Sequence, residues 1–249
     1  MGKILSDKVP AESGRGTGVG TAGSWRSVAG TDGGPSGSGG KAAKRRLIAA
    51  VAVAAVLWFF MFSPWTGHLV NFWVMMSFSA VALTSLAVWG GGFKRPEMPF
   101  GKLLLQVAAG VAIAFALWGV FWVGDKLSQL MFDFARPQVD DVYGMKEGTP
   151  PVLISLRLLF VIGPAEEYFW RGYVQKKISD LHGCNVALFA TAAVYALVHI
   201  WSSNFMLVMA ALVAGGVWGL VYRLKPSMLP ALIVSHAVWD ALVFVILPI

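Results

Sequence analysis

Gly163-Pro164-Ala165-Glu166-Glu167-Tyr168-Phe169-Trp170-Arg171-Gly172 sets two adjacent carboxylates and a guanidinium inside a run otherwise as apolar as a membrane helix. An ionisable side chain in hydrocarbon is costly and persists where it is paired or faces a protein cavity. On a helix, Glu167 and Arg171 stand four apart on one face, acid first, the better order for an ion pair. Glu166 points about 100° away from its neighbour. The spacing predicts one carboxylate neutralised and held, and a second left free and desolvated as a usable general base.

The surrounding chain reads as a membrane bundle. Of 249 residues 57% are hydrophobic and only 13% charged, with a mean hydropathy of +0.66, which excludes an ordinary soluble domain. The fold class expected is all-α: a polytopic transmembrane helix bundle of about seven spans behind a disordered N-terminal tail. The spans read Leu47–Phe62, Leu69–Trp89, Leu103–Val123, Val152–Val174, Asn185–Trp201, Phe205–Tyr222 and Met228–Ile249. Residues 1–46 are a Gly/Ser-rich tail ending in the basic anchor Lys41, Lys44, Arg45 and Arg46. Residues 47–149 hold the first spans and a long outer loop from Gly124, and residues 150–249 hold the catalytic-looking core.

Lys and Arg mark the same side at each alternate loop: the anchor, then Lys94, Arg95 and Lys102, then Lys176 and Lys177, then Arg223 and Lys225. By the positive-inside rule the N-terminus is cytoplasmic and the C-terminus lies outside. The net charge of +7 is concentrated in the tail, +5 over residues 1–46 and +2 over the rest, so no basic face remains for nucleic acid. A single cysteine, Cys184, excludes an internal disulfide.

Two further polar pairs lie deep in spans: Tyr195-x-x-x-His199 and His236-x-x-x-Asp240. Counted from the cytoplasmic ends at a rise of about 1.5 Å per residue, Glu166 lies roughly 15 Å deep, His199 roughly 21 Å, His236 roughly 12 Å and Asp240 roughly 18 Å. A hydrocarbon core of about 30 Å puts all four near its middle, where three spans can converge on one cavity. His236 and Asp240 share a helix face, so the carboxylate can orient the imidazole. Arg157 reads as a snorkelling residue. The Trp and Phe residues read mostly as lipid-facing bulk or interface anchors, and Gly215-Gly216 and Gly219 as close helix packing.

At these residues the chain resembles the CPBP family of intramembrane proteases, the group of CAAX prenyl endopeptidases and bacteriocin-processing (Abi) proteins. That family carries Glu-Glu-x-x-x-Arg, Phe-x-x-x-His and His-x-x-x-Asn/Asp on successive membrane helices. Here they stand as Glu166-Glu167-x-x-x-Arg171, Tyr195-x-x-x-His199 and His236-x-x-x-Asp240. The resemblance covers roughly residues 150–249. Tyr195 replaces the usual Phe, Trp170 the Phe before Arg, and Asp240 the commoner Asn. The resemblance implies a glutamic-type intramembrane endopeptidase. In it Glu166 and His199 activate a water, and His236 with Asp240 stabilises the oxyanion.

Two other readings share these residues. Glu166, His199 and His236 are possible ligands for zinc, although a His-Glu-x-x-His helix is absent; the reading without a cofactor is preferred. The buried charges also suit a non-enzymatic immunity factor or proton-coupled carrier. The expected partners are the lipid bilayer and a membrane-anchored or lipidated protein or peptide substrate, with no nucleic acid. The expected setting is a bacterial inner (plasma) membrane.

Overall fold

The computed structural model describes residues 37–92 and 98–249. Residues 1–36 of the expected tail, and Lys94 and Arg95 of the second basic loop, lie outside the described residues. The described chain is helical throughout, without strands. Helix α1 (Gly37–Phe62) leads to α2 (Phe72–Trp89), α3 (Phe100–Met131) and the short α4 (Ala135–Gly144). A long interrupted helix follows: α5 (Pro151–Arg157), a π-helical stretch (Leu158–Ile162), α6 (Gly163–Phe169), a second π stretch (Trp170–Gln175) and α7 (Lys176–His182). Then come α8 (Cys184–Val198), α9 (Phe205–Leu224) and α10 (Leu229–Ala241).

Six helices among the described residues are long and apolar enough to cross a membrane, and the chain is an integral membrane protein. The expected seventh span, Val152–Val174, lies within the interrupted helix and differs because it carries Arg157, Glu166, Glu167 and Arg171. Two other boundaries move. Helix α1 begins at Gly37, so the basic anchor forms its first turns instead of closing an unstructured tail. The outer loop expected from Gly124 is helical to Met131, because Lys126, Leu127, Gln129 and Leu130 are good helix formers and a single glycine does not break them.

Local chemistry explains the ends. Asn71 caps α2 by accepting from the Val74 amide at 3.1 Å, and Asn204 caps α9 by accepting from Leu207 at 2.9 Å. Pro150 and Pro151 start α5, where a missing N–H costs nothing. Gly183, at φ 87°, turns the chain between α7 and α8. Pro164 would break a regular helix. The π stretch ahead of it accommodates the ring by shifting the register, with the Gly163 amide bonded to the Leu158 carbonyl.

Among the described residues three apolar clusters hold the bundle, the smallest of them joining Trp73 of α2 to Ile154, Leu158 and Ile162 of the interrupted helix. Of the larger two, one joins α1, α2, α8 and the interrupted helix around Trp58, Phe169, Trp170 and Tyr173. The other joins α3, α9 and α10 around Leu117, Trp218, Leu232 and Trp239. Trp58, Trp170 and Trp218 are among the largest fully buried side chains, so the reading of Trp and Phe as mostly lipid-facing or interfacial fails for these three, while Trp65, Trp89 and Phe78 are exposed. Leu105, Phe160 and Phe189 also lie on the outer surface, each more than 70% exposed.

One end of the bundle gathers Lys41, Lys44, Arg45, Arg46, Lys102, Lys176, Lys177, Arg223 and Lys225, against the single acid Asp180 among the described residues. The contacts agree: Arg46 lies over the Trp89 ring at 4.9 Å and Arg223 bonds Asn185 at 2.7 Å. The opposite end carries α4, where Arg136 donates to Asp140 from Nε at 3.0 Å. That hydrogen bond holds the Asp140 carboxyl below its ordinary range and raises the Arg136 guanidinium.

Candidate active site

Close backbone approaches bring the charged residues together. A methyl at Gly163 would stand 2.7 Å from the Ala237 Cα and 2.8 Å from its nitrogen, so α6 and α10 touch through backbone here. The contact sets Glu167 against His236, whose Nδ1 lies 3.1 Å from Glu167 Oε1. On the other side of the interrupted helix, Gly215 and Gly219 of α9 expose carbonyls that accept from Arg171 Nη2 and Gln175 Nε2, each at 2.8 Å. Gly215 and Gly219 therefore pack closely, as expected, and also supply acceptors that fix two buried polar side chains, whereas Gly216 does not: a methyl there would meet nothing within 4 Å.

Arg171 and Glu167 are wholly buried. Arg171 Nη1 donates to Glu167 Oε1 at 2.7 Å, and the guanidinium lies over the Tyr195 and Trp218 rings at 5.2 and 5.5 Å. Glu167 thus joins Arg171 and His236. The expected ion pair is present, with an added imidazole that periodicity could not show.

His236 is held on three sides. Glu167 takes Nδ1, Trp218 stacks on the ring with centroids 4.1 Å apart and planes 18° apart, and Asp240 Oδ2 lies 3.5 Å from Nε2. Asp240 does share its face, yet this distance is long for a hydrogen bond, and Glu167 is the closer carboxylate. A carboxylate only accepts, so Nδ1 carries a proton, and Nε2 faces Asp240 and the cavity.

Glu166 takes another direction. Its Oε2 accepts from the Tyr195 hydroxyl at 2.9 Å. The carboxylate read as free therefore has one firm partner, and the hydroxyl distinguishing Tyr195 from the family's usual Phe supplies it. His199 makes no hydrogen bond to Glu166. Its Nε2 accepts from Trp58 Nε1 at 3.0 Å, and its Nδ1 meets the Tyr195 carbonyl at 2.7 Å. These partners place the ring proton on Nδ1 and engage both nitrogens.

A cavity of about 580 Å³ joins these groups. Glu166, Tyr195, His199, His236 and Asp240 line its inner end, whereas Glu167 and Arg171 stand behind the wall. The remaining lining is mostly apolar, as substrate pockets generally are. Toward the α4 end the wall includes Asp125, whose Oδ2 accepts from Gln129 at 2.6 Å and from Lys126 at 3.1 Å.

All six residues singled out in the sequence thus converge, four on the cavity and two just behind it. Sequence reading missed Trp58, Trp218 and the role of the Tyr195 hydroxyl. Only the Phe-to-Tyr departure offered a signal. As to metal, no group of three or more His, Cys, Asp or Glu side chains among the described residues is arranged to hold an ion. Of the three expected ligands, Glu166 accepts from Tyr195, His199 has a partner on each ring nitrogen and His236 has Nδ1 on Glu167.

Residues 148–242 match the family model described as type II CAAX prenyl endopeptidase Rce1-like, consistent with a CPBP family protease. No curated protein and no solved structure matches the chain. The match covers the interrupted helix, α8, α9 and α10, the elements that build the cavity's inner end, and supports the general class of intramembrane endopeptidase.

Proposed function

We propose, on the premise that residues 148–242 form an Rce1-like type II CAAX endopeptidase domain, that this chain is a glutamic-type intramembrane endopeptidase cleaving a membrane-anchored or lipidated polypeptide. One observation carries the reading: of the two adjacent carboxylates, only Glu166 lines the cavity, and it does so beside His236 and Asp240.

In this mechanism Glu166 is the general base. Tyr195 holds Oε2 and leaves Oε1 for a water. As the water oxygen attacks the scissile carbonyl carbon, its proton passes to Glu166. The carbonyl oxygen gains the displaced electron pair and is met by His236 Nε2, which donates when the ring, set between two carboxylates, carries its second proton. The proton on Glu166 then moves to the leaving nitrogen, the C–N bond breaks, and a new carboxylate and a new amine depart. Glu167 and Arg171 act at a distance by fixing the His236 ring, and Asp240 steadies its Nε2 edge. His199 shares the water with Glu166 only when its Nε2 exchanges the Trp58 indole for that water. No metal enters the scheme. The inferred setting is a bacterial inner membrane with the basic end, and so the N-terminus, in the cytoplasm.

The test is purified protein in detergent against a panel of lipid-anchored, internally quenched peptides. Cleavage by wild type and none by Glu166→Gln, with the variant's unfolding temperature retained, is the result expected. Equal cleavage by Glu166→Gln would overturn the base assignment.

A further inference from the structure

The cavity is closed on the basic side and reaches the surface on the other. On α1, α2, α3 and α10 its lining comes only from the half of each helix that ends away from the basic cluster: Phe62, Trp73, Asp125 and Asp240 are examples. It continues to Phe132 and Phe205, which are 37% and 48% exposed. Between Glu167 and the basic end the interrupted helix presents Phe169, Trp170, Arg171, Tyr173, Val174 and Gln175, all at most 2% exposed and none of them lining the cavity. Those side chains form a plug about two helical turns thick.

The charge distribution assigns the two faces. Short loops rich in Lys and Arg stay on the cytoplasmic side, and the segment around α4 carries Asp125, Asp133, Asp140, Asp141 and Glu147 against Lys126, Arg136 and Lys146. We infer that the catalytic cavity is reached from the extracytoplasmic side, and that the substrate is a polypeptide presented there, an exported or translocated segment still held to the membrane, rather than a cytoplasmic chain end. The apolar wall suits such a segment: it admits an extended stretch with apolar side chains, which hydrocarbon itself could not host with unpaired backbone. This inference rests on the proteolytic reading for the word substrate, but its geometric part stands apart from activity.

Cysteine labelling in intact bacterial cells decides the faces. Ser128→Cys, in a Cys184→Ser background, puts a thiol on the cavity wall toward the α4 end, and Ala210→Cys in the same background puts one deeper in that wall. The native Cys184, exposed at the start of α8, reports the basic end in the unsubstituted chain. A small membrane-impermeant thiol reagent is expected to modify both introduced thiols in intact cells, and Cys184 only after permeabilisation. Modification of Cys184 in intact cells, or of the two introduced thiols only after permeabilisation, overturns the inference. Sealed vesicles add the substrate side. The best peptide of the panel, added outside, is expected to be cut by right-side-out vesicles at least tenfold faster than by inverted ones, with the difference abolished by detergent. Faster cutting by inverted vesicles overturns the inference while leaving the protease reading intact. Absence of cutting even in detergent defeats the protease reading, and the labelling pattern then still decides the side on which the cavity opens.

Discussion

Gly163→Ala tests whether the α6–α10 approach sets the site. The added methyl would stand 2.7 Å from the Ala237 Cα and 2.8 Å from its nitrogen. Carbon contacts are comfortable from about 3.5 Å, so the helices must part by about 0.8 Å. His236 precedes Ala237, and Glu167 lies one turn beyond Gly163, so the shift falls on their contact, now 3.1 Å. At about 3.9 Å that hydrogen bond is lost. A misplacement near 1 Å at a catalytic group costs about 100-fold, while overpacking lowers stability by about 1–3 kcal/mol. The expected outcome is kcat on the best quenched peptide reduced about 100-fold, with KM changed less than about threefold. Ala237→Gly in the same chain is not expected to rescue, because the obstruction is backbone. Gly119→Ala, whose methyl meets nothing within 4 Å, is the control expected to retain full activity. Wild-type turnover in Gly163→Ala would refute the claim that this contact positions Glu167 and His236.

Glu167→Gln is expected to reduce cleavage without abolishing it and to lower the unfolding temperature, because it leaves Arg171 buried with a weaker partner; a variant as stable and active as wild type would count against the Arg171–Glu167–His236 chain. Tyr195→Phe removes one hydrogen bond to Glu166 and matches the family's usual residue, so activity within about tenfold of wild type is expected, and complete loss would make the hydroxyl essential. Trp58→Phe frees His199 Nε2 and is expected to preserve or raise turnover where His199→Ala abolishes it; parallel loss in both would assign His199 a purely structural role. Activity is expected to survive chelators, and elemental analysis showing one zinc per chain, lost with activity in His199→Ala, would reverse that. Asp140 has a lowered folded value, so its pairing with Arg136 contributes above the ordinary aspartate range and is lost as pH falls through the folded value. The unfolding temperatures of wild type and Asp140→Asn are therefore expected to converge on acidification.

The helical runs and the Glu167–Arg171 pair were legible in the sequence, because hydropathy over a span and side-chain adjacency at four residues are local properties of one helix. So was the convergence of Glu166, His199, His236 and Asp240, because a shared depth in a bilayer narrows where such residues can lie. What lay across helices was not legible. Glu167 reaches His236 over 69 residues of chain, and Trp58 reaches His199 over 141. Those contacts depend on how far apart the helix axes run and how each is rotated, and backbone approaches such as Gly163 on Ala237 set both. The π stretch Leu158–Ile162 shifts the register of the helix ahead of Glu166, which no regular period encodes. The closure of the cavity on the basic side came only from tertiary packing, since one face of every helix is apolar whether it meets lipid, a neighbour or a void.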